Sequence, residues 1–511
     1  MPTNSNTNLP KDQYQHYIPR FILRYFQDAQ MRPNVRRTFI KHVKRKTGID
    51  NETILMYDIT SQTFEPRPIG KVYGVINMYR DETNHENVDH LEQGLSRLEN
   101  SAALVIRNIS TASETDIGGV RMTRRELGDF RKFIYLMHYR RVSLIDSYFD
   151  ENDPDNAPLK AWMKNFKEKH NIHTKDGVWL FGVKYVLDTP HQKIVATGEA
   201  IQKKYGPQGM MKMYTTSIDL DINFHAVDYT VIADSFFLGI WEAADGEEFI
   251  MCSNSFGLWE GRINKMAECH RLFVVSPKIA LVLRNNIIGP ETIESQRRFL
   301  DSTLADIGMT RSTCQYANQE AAHQDMWKYR QTPTAQDDVF FFTPTKLTPK
   351  QTHALNQILL LNMRVDGSVT FASTTAMCRS LQYHLRDDTP EARESKYWVR
   401  SLLGALNSIP SAMSGETPSI DLVLGAIANG TIEFQSAYDR AYRVYHLATD
   451  DVTKYNRSSS EIHQMTVRAI LKMREILPPP PLAVATSICP SSAVILSRSC
   501  QRRSQSCFLR W

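Results

Sequence analysis

The sequence contains no run of 18 or more apolar residues, so it offers no candidate transmembrane helix. The first eleven residues are polar and rich in Asn, and they lack the apolar stretch of a secretory signal peptide. These two absences predict an intracellular protein, either cytoplasmic or nuclear, that has no membrane partner.

Cysteine is also scarce. The seven cysteines are widely spaced, odd in number and include no Cys-x-x-Cys pair, which argues against a disulfide framework and against a zinc ribbon. His85 and His90 resemble a zinc-protease pair but lie five positions apart, about 140° around a helix, so they cannot share one metal ion. The sequence also lacks the Gly-rich phosphate-binding loops and the nucleophile elbow. It therefore indicates no cofactor-binding residue and no metal ligand.

The net charge of +5 is concentrated at the two ends of the chain. The first 50 residues hold ten Lys or Arg against three Asp, and residues 477–511 hold four Arg and no acid, so residues 51–476 carry −6. This distribution excludes a basic surface that extends over the whole protein. The run of cations between Arg36 and Lys46 is the one candidate nucleic-acid contact. Alternatively, this segment is a solvated edge strand whose Lys residues prevent it from pairing with other strands.

Apolar spacing predicts a helical hairpin early in the chain. The seam of the first helix, residues 91–109, has 4-3-4-3-4 spacing and consists of Leu91, Leu95, Leu98, Ala102, Val105 and Ile109. A loop is expected over residues 110–120, and Thr123 and Glu126 then form a Thr-x-x-Glu capping box. The second seam contains Leu127, Phe130, Ile134 and Met137. Two such helices joined by a short loop are expected to pack antiparallel.

Other segments complete an α+β fold that is predominantly helical, with a small antiparallel sheet and a disordered C-terminal tail. Helices are predicted over residues 18–26, with Pro19 in the first turn, and over residues 348–362. Strands are predicted over residues 39–43 and 54–59. Two hairpins are predicted, one joining residues 237–242 to 248–252 and one joining 272–275 to 280–284. Residues between 158 and 237 remain ambiguous between helix and strand.

The predicted organisation has four parts: a disordered N-terminus (1–12), a main domain (13–386), a helical region (387–476) and a disordered tail (477–511). The tail opens with Pro478 to Pro481 and shows no helical or strand period, so it buries too little apolar surface to order itself.

Several motifs together resemble the family called domain of unknown function 4238. They are the segment Gln15-His16-Tyr17-Ile18-Pro19-Arg20-Phe21, the two seam helices, the turn Cys252-Ser253-Asn254 with its flanking strands, and Leu355-Asn356. The resemblance covers about residues 13–386. The turn usually carries Ser/Thr-Asp-Asn, so Ser253 is a departure from the pattern, and an activity that depended on that aspartate would be lost in this chain.

Candidate site residues come from these motifs. Glu92 and Glu99 each follow a seam leucine, so both flank the same apolar stripe, but about 10 Å of helix separates them and they cannot share a proton. Each is expected to meet a partner on the facing helix. The seam period points to Arg141 as that partner, whereas the resemblance points to Arg140, which we prefer.

Four residues are therefore candidates for a polar centre: His16, Glu99, Arg140 and Asn254. Their alternative role is architectural, with Arg140 as half of an ion pair that locks the helices and His16 bonded to backbone at a helix entrance. Two functions follow from these alternatives. One is a non-catalytic binding or interaction protein, which the departure at Ser253 favours. The other is a hydrolase that acts on nucleic acid or a nucleotide.

Overall fold

A computed structural model of the protein describes residues 12–27, 52–81, 84, 86–115, 118–141, 145, 149–216, 223–264, 267–289, 297–364 and 366–407. The described residues form two compact units, one ending at Ser380 and the other beginning at Leu381. Several predictions concern residues outside this set: the disordered ends, the strand over 39–43, the basic run from Arg36 to Lys46 and the helical region beyond Asn407.

The first part of the chain alternates short strands with the two seam helices. Its elements are β1 (Tyr14–His16), α1 (Arg20–Leu23) followed by a 3-10 turn (Arg24–Phe26), β2 (Thr53–Asp58), β3 (Thr63–Pro68), β4 (Gly74–Ile76), α2 (His90–Thr115), β5 (Val120–Thr123) and α3 (Arg124–Tyr139). The predicted strand over 54–59 is confirmed as β2. The predicted first helix begins later than expected, because Pro19 is its N-terminal cap and not its first-turn residue, and its last residues, Arg24–Phe26, form a 3-10 turn.

The helical hairpin is confirmed as α2 and α3, which pack against each other. The capping box is present, since the Thr123 hydroxyl accepts the Glu126 amide at 3.2 Å and the Glu126 carboxylate accepts the Thr123 amide at 2.8 Å. The predicted loop over 110–120 is too long, because α2 continues to Thr115 and β5 begins at Val120.

The ambiguous middle of the chain is helical. It comprises a 3-10 turn (Pro154–Leu159), α4 (Lys160–His170), α5 (Lys175–Asp188), α6 (His191–Thr216) with a break at Gly206, and α7 (Asn223–Asp234). Aromatic rings fill the space between these helices, among them Trp162, Phe166, Phe181 and Phe224. In α7 every residue from Phe224 to Thr230 is buried, so this helix shows no single apolar stripe from which its period could be predicted.

The second part of the chain is rich in strands. Its elements are β6 (Phe236–Glu242), β7 (Met251–Cys252), β8 (Phe256–Ile263), β9 (Ala267–Val274), β10 (Ile279–Asn285), β11 (Leu300–Asp301), β12 (Thr313–Gln315), α8 (Gln319–Gln324), α9 (Met326–Arg330), β13 (Val339–Phe342), β14 (Thr345–Lys346), α10 (Pro349–Leu361), β15 (Ser368–Thr370), α11 (Thr374–Leu385) and α12 (Pro390–Asn407). The predicted helix over 348–362 is confirmed as α10, with a capping box between Thr348 and Gln351.

The described residues form four sheets, so the α+β class is confirmed while the prediction of one small sheet is wrong. Their strand orders are β1-β4, β11-β8-β9-β10-β6-β14, β12-β13-β5 and β3-β2-β15-β7. All described pairs are antiparallel except β14 with β6. The predicted hairpin of β9 with β10 is confirmed.

The other predicted hairpin, over 237–252, is wrong. β6 pairs with β10 and β14, whereas β7 pairs with β15 in a different sheet. The segment between β6 and β7 is bound by α10 instead, because the Asn356 side chain accepts the Ile250 amide at 3.1 Å and donates to the Glu248 carbonyl at 2.7 Å. In the described part of the chain, no helix combines the length and the apolar character needed to cross a membrane.

Candidate functional site

The end of α3 places Arg140 at the centre of the candidate site. The helix stops at Tyr139, and Arg140 is its C-terminal cap residue, with φ −94° and ψ 13°. The Arg140 side chain is only 1% exposed, and its Nη1 lies 2.8 Å from Oε1 of Glu99 on α2. The expected partner of Glu99 on the facing helix is therefore Arg140. The helical spacing of the α3 seam pointed to Arg141, but that spacing does not extend to Arg141 because the helix ends at Tyr139.

His16 approaches the same region from β1. Its Nε2 lies 3.0 Å from the Ile69 carbonyl, which can only accept, so Nε2 carries the proton and Nδ1 is left as an acceptor. Burial lowers the pKa of His16, and the positive charges of Arg20 and Arg140 lower it further. The imidazole is therefore neutral at pH 7 and is oriented by backbone.

Tyr79 connects His16 to the ion pair, and no motif pointed to it. Its hydroxyl donates to the His16 carbonyl at 3.3 Å, its amide donates to the Gln15 side chain at 2.6 Å, and its ring stacks on Trp179. Burial raises the pKa of Tyr79 above its ordinary value, while the charge of Arg140 opposes that rise.

Glu92 lies beside the pair, in the first turn of α2. Burial and the negative charge of Glu99 raise the pKa of Glu92 to about 7, although Arg140 acts in the opposite direction. Glu92 makes no hydrogen bond with any residue in the described set. Its position after a seam leucine drew attention to it in the sequence, but the four candidate residues did not include it.

Asn254 has a different hydrogen-bond partner from the other three candidates. It sits in the turn between β7 and β8, and its side chain donates to the Asn362 carbonyl at 2.8 Å. The turn is closed by Ser255, whose hydroxyl accepts the Cys252 amide at 2.7 Å. The charge of Arg141 acts on the buried Cys252 thiol, whose pKa burial raises to about 11. The structure thus pairs Glu99 with Arg140 and places His16 where the charge of Arg140 acts on it. Asn254 lies two residues after Cys252, on which the charge of Arg141 acts.

A second buried polar network lies in the six-stranded sheet, and no motif in the sequence predicted it. The Glu260 carboxylate accepts from His270 Nδ1 at 2.8 Å and from the Ser302 hydroxyl at 2.8 Å, and Arg284 Nε donates to His270 Nε2 at 2.9 Å. Glu260, His270 and Arg284 are thus linked by hydrogen bonds, although Nη1 of Arg284 is buried without a hydrogen bond to any described residue. Among the described residues, no group of three or more His, Cys, Asp or Glu is arranged to hold a metal ion.

Comparison with known proteins identifies a family. The sequence model of the family described as "Protein of unknown function (DUF4238)" matches residues 14–371, which include all four candidate residues. The chain matches none of the curated proteins and none of the solved structures with which it was compared. The family match spans well over half of the chain, from β1 to the residue after β15, and the protein therefore belongs to the DUF4238 family.

Proposed function

We propose that the protein is a non-catalytic binding protein in which His16, Glu99 and Arg140 form the structural frame of a ligand site. The observation that supports this proposal is that each group already has a partner inside the protein. Arg140 pairs with Glu99 at 2.8 Å and His16 binds the Ile69 carbonyl at 3.0 Å. A reacting group must come within hydrogen-bond reach of its substrate, and these atoms are directed at the protein itself.

Substitution of His16 tests the structural role. His16→Ala removes the hydrogen bond to Ile69 and is expected to lower stability by about 1 kcal/mol, which is the usual net contribution of such a bond. His173→Ala, at an exposed histidine, is the matched control and should leave the unfolding midpoint unchanged. A His16→Ala variant that keeps its full stability would contradict the proposed frame.

The second candidate function is a hydrolase acting on nucleic acid or a nucleotide. The observation that favours it is the raised pKa of Glu92. A carboxyl whose pKa is about 7 can both donate and accept a proton at neutral pH, as a general acid or base requires. The neighbouring Glu99 pairs with Arg140 at 2.8 Å, so the two acids of α2 lie in different environments.

The two candidates are separated by incubating the protein with nucleotides and with RNA and measuring phosphate release and strand cleavage. The binding function predicts no turnover. The hydrolase predicts turnover that Glu92→Gln removes and that Glu114→Gln, at an exposed position on the same helix, leaves intact.

A further inference from the structure

The three-stranded sheet β12-β13-β5 has one face in the core and one face that solvent reaches. Side chains alternate between the two faces along each strand, and residues paired across strands share a face. On the core face, Val120, Met122 and Phe342 are buried. The other face, which we call the open face, consists of six residues that are all exposed or partly exposed: Arg121, Thr123, Thr313, Gln315, Val339 and Phe341.

An aromatic ring lies in the middle of the open face. Phe341 is on the central strand, directly opposite Arg121 of β5 on one side and Thr313 of β12 on the other. The guanidinium carbon of Arg121 lies over the Phe341 ring, 5.0 Å from its centroid. Arg121 is exposed and Phe341 is partly exposed. A planar cation and an aromatic ring are therefore held together at a surface that solvent reaches.

The charge at the centre of the open face is positive. Its six residues include one cation and no acid. Among the described residues, neither Arg121 nor Arg311, two residues before β12, has a carboxylate within ion-pair distance. Arg311 donates instead to two oxygens of Asn286, which are neutral. The Glu126 carboxylate, at the Thr123 edge, is bound in the capping box of α3, where the helix dipole is also positive. The open face is thus complementary to an anion.

We propose that the open face binds single-stranded nucleic acid, with a base stacked on the Phe341–Arg121 pair and a phosphate bound by an arginine. Unpaired bases stack on aromatic rings and on guanidinium planes, and both are present here. The side chains of Thr313 and Gln315 supply hydrogen-bonding groups on the neighbouring strand. An acidic peptide would use the cation but not the ring, so the chemistry of the face favours nucleic acid.

The open face is separate from the site that contains Arg140. β5 leads directly into α3, which runs for 16 residues, about 24 Å, before it reaches Arg140. The inference therefore goes beyond the proposed function, because binding at the open face requires nothing of His16, Glu99 or Arg140.

Binding is measured by fluorescence anisotropy with the full-length protein. The probes are a labelled single-stranded oligonucleotide of mixed sequence, as RNA and as DNA, and the duplex of the same sequence. The single strand should bind more tightly than the duplex, since only its bases are free to stack on the ring. Phe341→Ala should weaken binding of the single strand at least about fivefold, the loss of one stacked base. Phe299→Ala, at another exposed phenylalanine, is the matched control and should bind as the wild type does.

The role of Arg121 is tested through the salt dependence of binding. Arg121→Gln should make the slope of log K against log salt concentration shallower by about 0.7, the value for one phosphate contact on a single strand. Arg97→Gln, at an exposed arginine of α2, removes the same charge and should leave the slope unchanged. If Arg121 served only to cover the ring, its substitution would change thermal stability but not this slope.

Thr313→Glu keeps the test informative if the other variants do not fold, because Thr313 is exposed. It places a carboxylate opposite Phe341 and should abolish binding of the single strand. A wild type that does not bind the single strand, or that prefers the duplex or poly-glutamate, would overturn the inference. So would Phe341→Ala and Thr313→Glu variants that bind as tightly as the wild type. Cleavage of the oligonucleotide, with binding still weakened in Phe341→Ala, would instead overturn the non-catalytic function and leave the open face standing.

Discussion

Arg140 and Glu99 are 2.8 Å apart, and although Glu99 is 25% exposed, Arg140 is only 1% exposed. Their pairing joins the end of α3 to the first half of α2. Because the guanidinium is buried, removing its partner leaves a charge that water cannot reach, whereas removing the arginine leaves a carboxylate that water can solvate.

The first prediction concerns this asymmetry. Glu99→Gln should lower the free energy of unfolding by about 3 kcal/mol, the smaller end of the range for a broken buried ion pair. Arg140→Met should lower it by less. The double variant should lose less stability than the two single variants lose together. Urea unfolding of the wild type, the two single variants and the double variant measures this. Asp188→Asn, which breaks the exposed Lys184–Asp188 pair, is the control and should change stability by about 0.5 kcal/mol or less. Additive effects of Glu99→Gln and Arg140→Met would show that the pair is not coupled.

The second prediction concerns pH. Glu92 has a folded-state pKa of about 7, above the ordinary 4.5, so between these values the folded state holds more protons than the unfolded state. Stability is therefore lost as pH rises from about 4.5 to 7. Glu92→Gln should stabilise the protein by roughly 1–3 kcal/mol at pH 8 and leave it nearly unchanged at pH 4.5. A Glu92→Gln variant whose stability differs from wild type by the same amount at both pH values would count against the raised pKa.

The third prediction tests the apolar seam of α2. Leu95 is 3% exposed, whereas Leu104 on the same helix is 50% exposed. Leu95→Ala should cost about 2–5 kcal/mol because it leaves a cavity between α2 and its neighbours. Leu104→Ala should change stability by about 0.5 kcal/mol or less. Thermal and urea unfolding measure the stability of both variants. Equal losses of stability would mean that the seam of α2 is not part of the core.

The fourth prediction compares two glycines with positive φ. Gly257 has φ +68°, and a Cβ there would lie 2.4 Å from Nδ1 of His138, whereas Gly246 has φ +75° and open space around it. Both substitutions to Ala carry the cost of a left-handed backbone, about 1–2 kcal/mol. Only Gly257→Ala adds a clash with α3, so it should lower the melting temperature clearly more than Gly246→Ala. Similar melting temperatures would place α3 farther from β8 than the structure does.

The helices of this fold could be predicted where one face is apolar or a cap is present. The seam of α2 and the capping boxes at Thr123 and Thr348 are local signals, and each marks a helix that forms. The strands could be predicted only where the partner is next in sequence, as for β9 and β10. β7 pairs instead with β15, more than 100 residues farther along the chain, and nothing near Cys252 indicates that partner.

The candidate site shows the same division. Glu99 could be identified because it follows a seam leucine, whereas the resemblance, and not the seam period, favoured Arg140 over Arg141. Tyr79 could not, since it reaches the site through hydrogen bonds to Gln15 and His16 that carry no periodic signal. Asn254 was grouped with the others by resemblance alone, and its amide in fact binds the Asn362 carbonyl. The association of His16, Glu99, Arg140 and Asn254 with catalysis remains a prediction.

The four-stranded sheet has a consequence for how the chain is made. β2 is synthesised early, yet one of its edges pairs with β15, and the nearby Tyr73 hydroxyl bonds to Thr370, 297 residues later. At about 5–20 residues per second, a ribosome needs roughly 15–60 s to add that length. During this time the β2–β3 hairpin presents an unpaired edge, which is the kind of surface that recruits other strands. Completion of this sheet is therefore a late event in biosynthesis, and a chain that stops before Ser368 leaves the edge open.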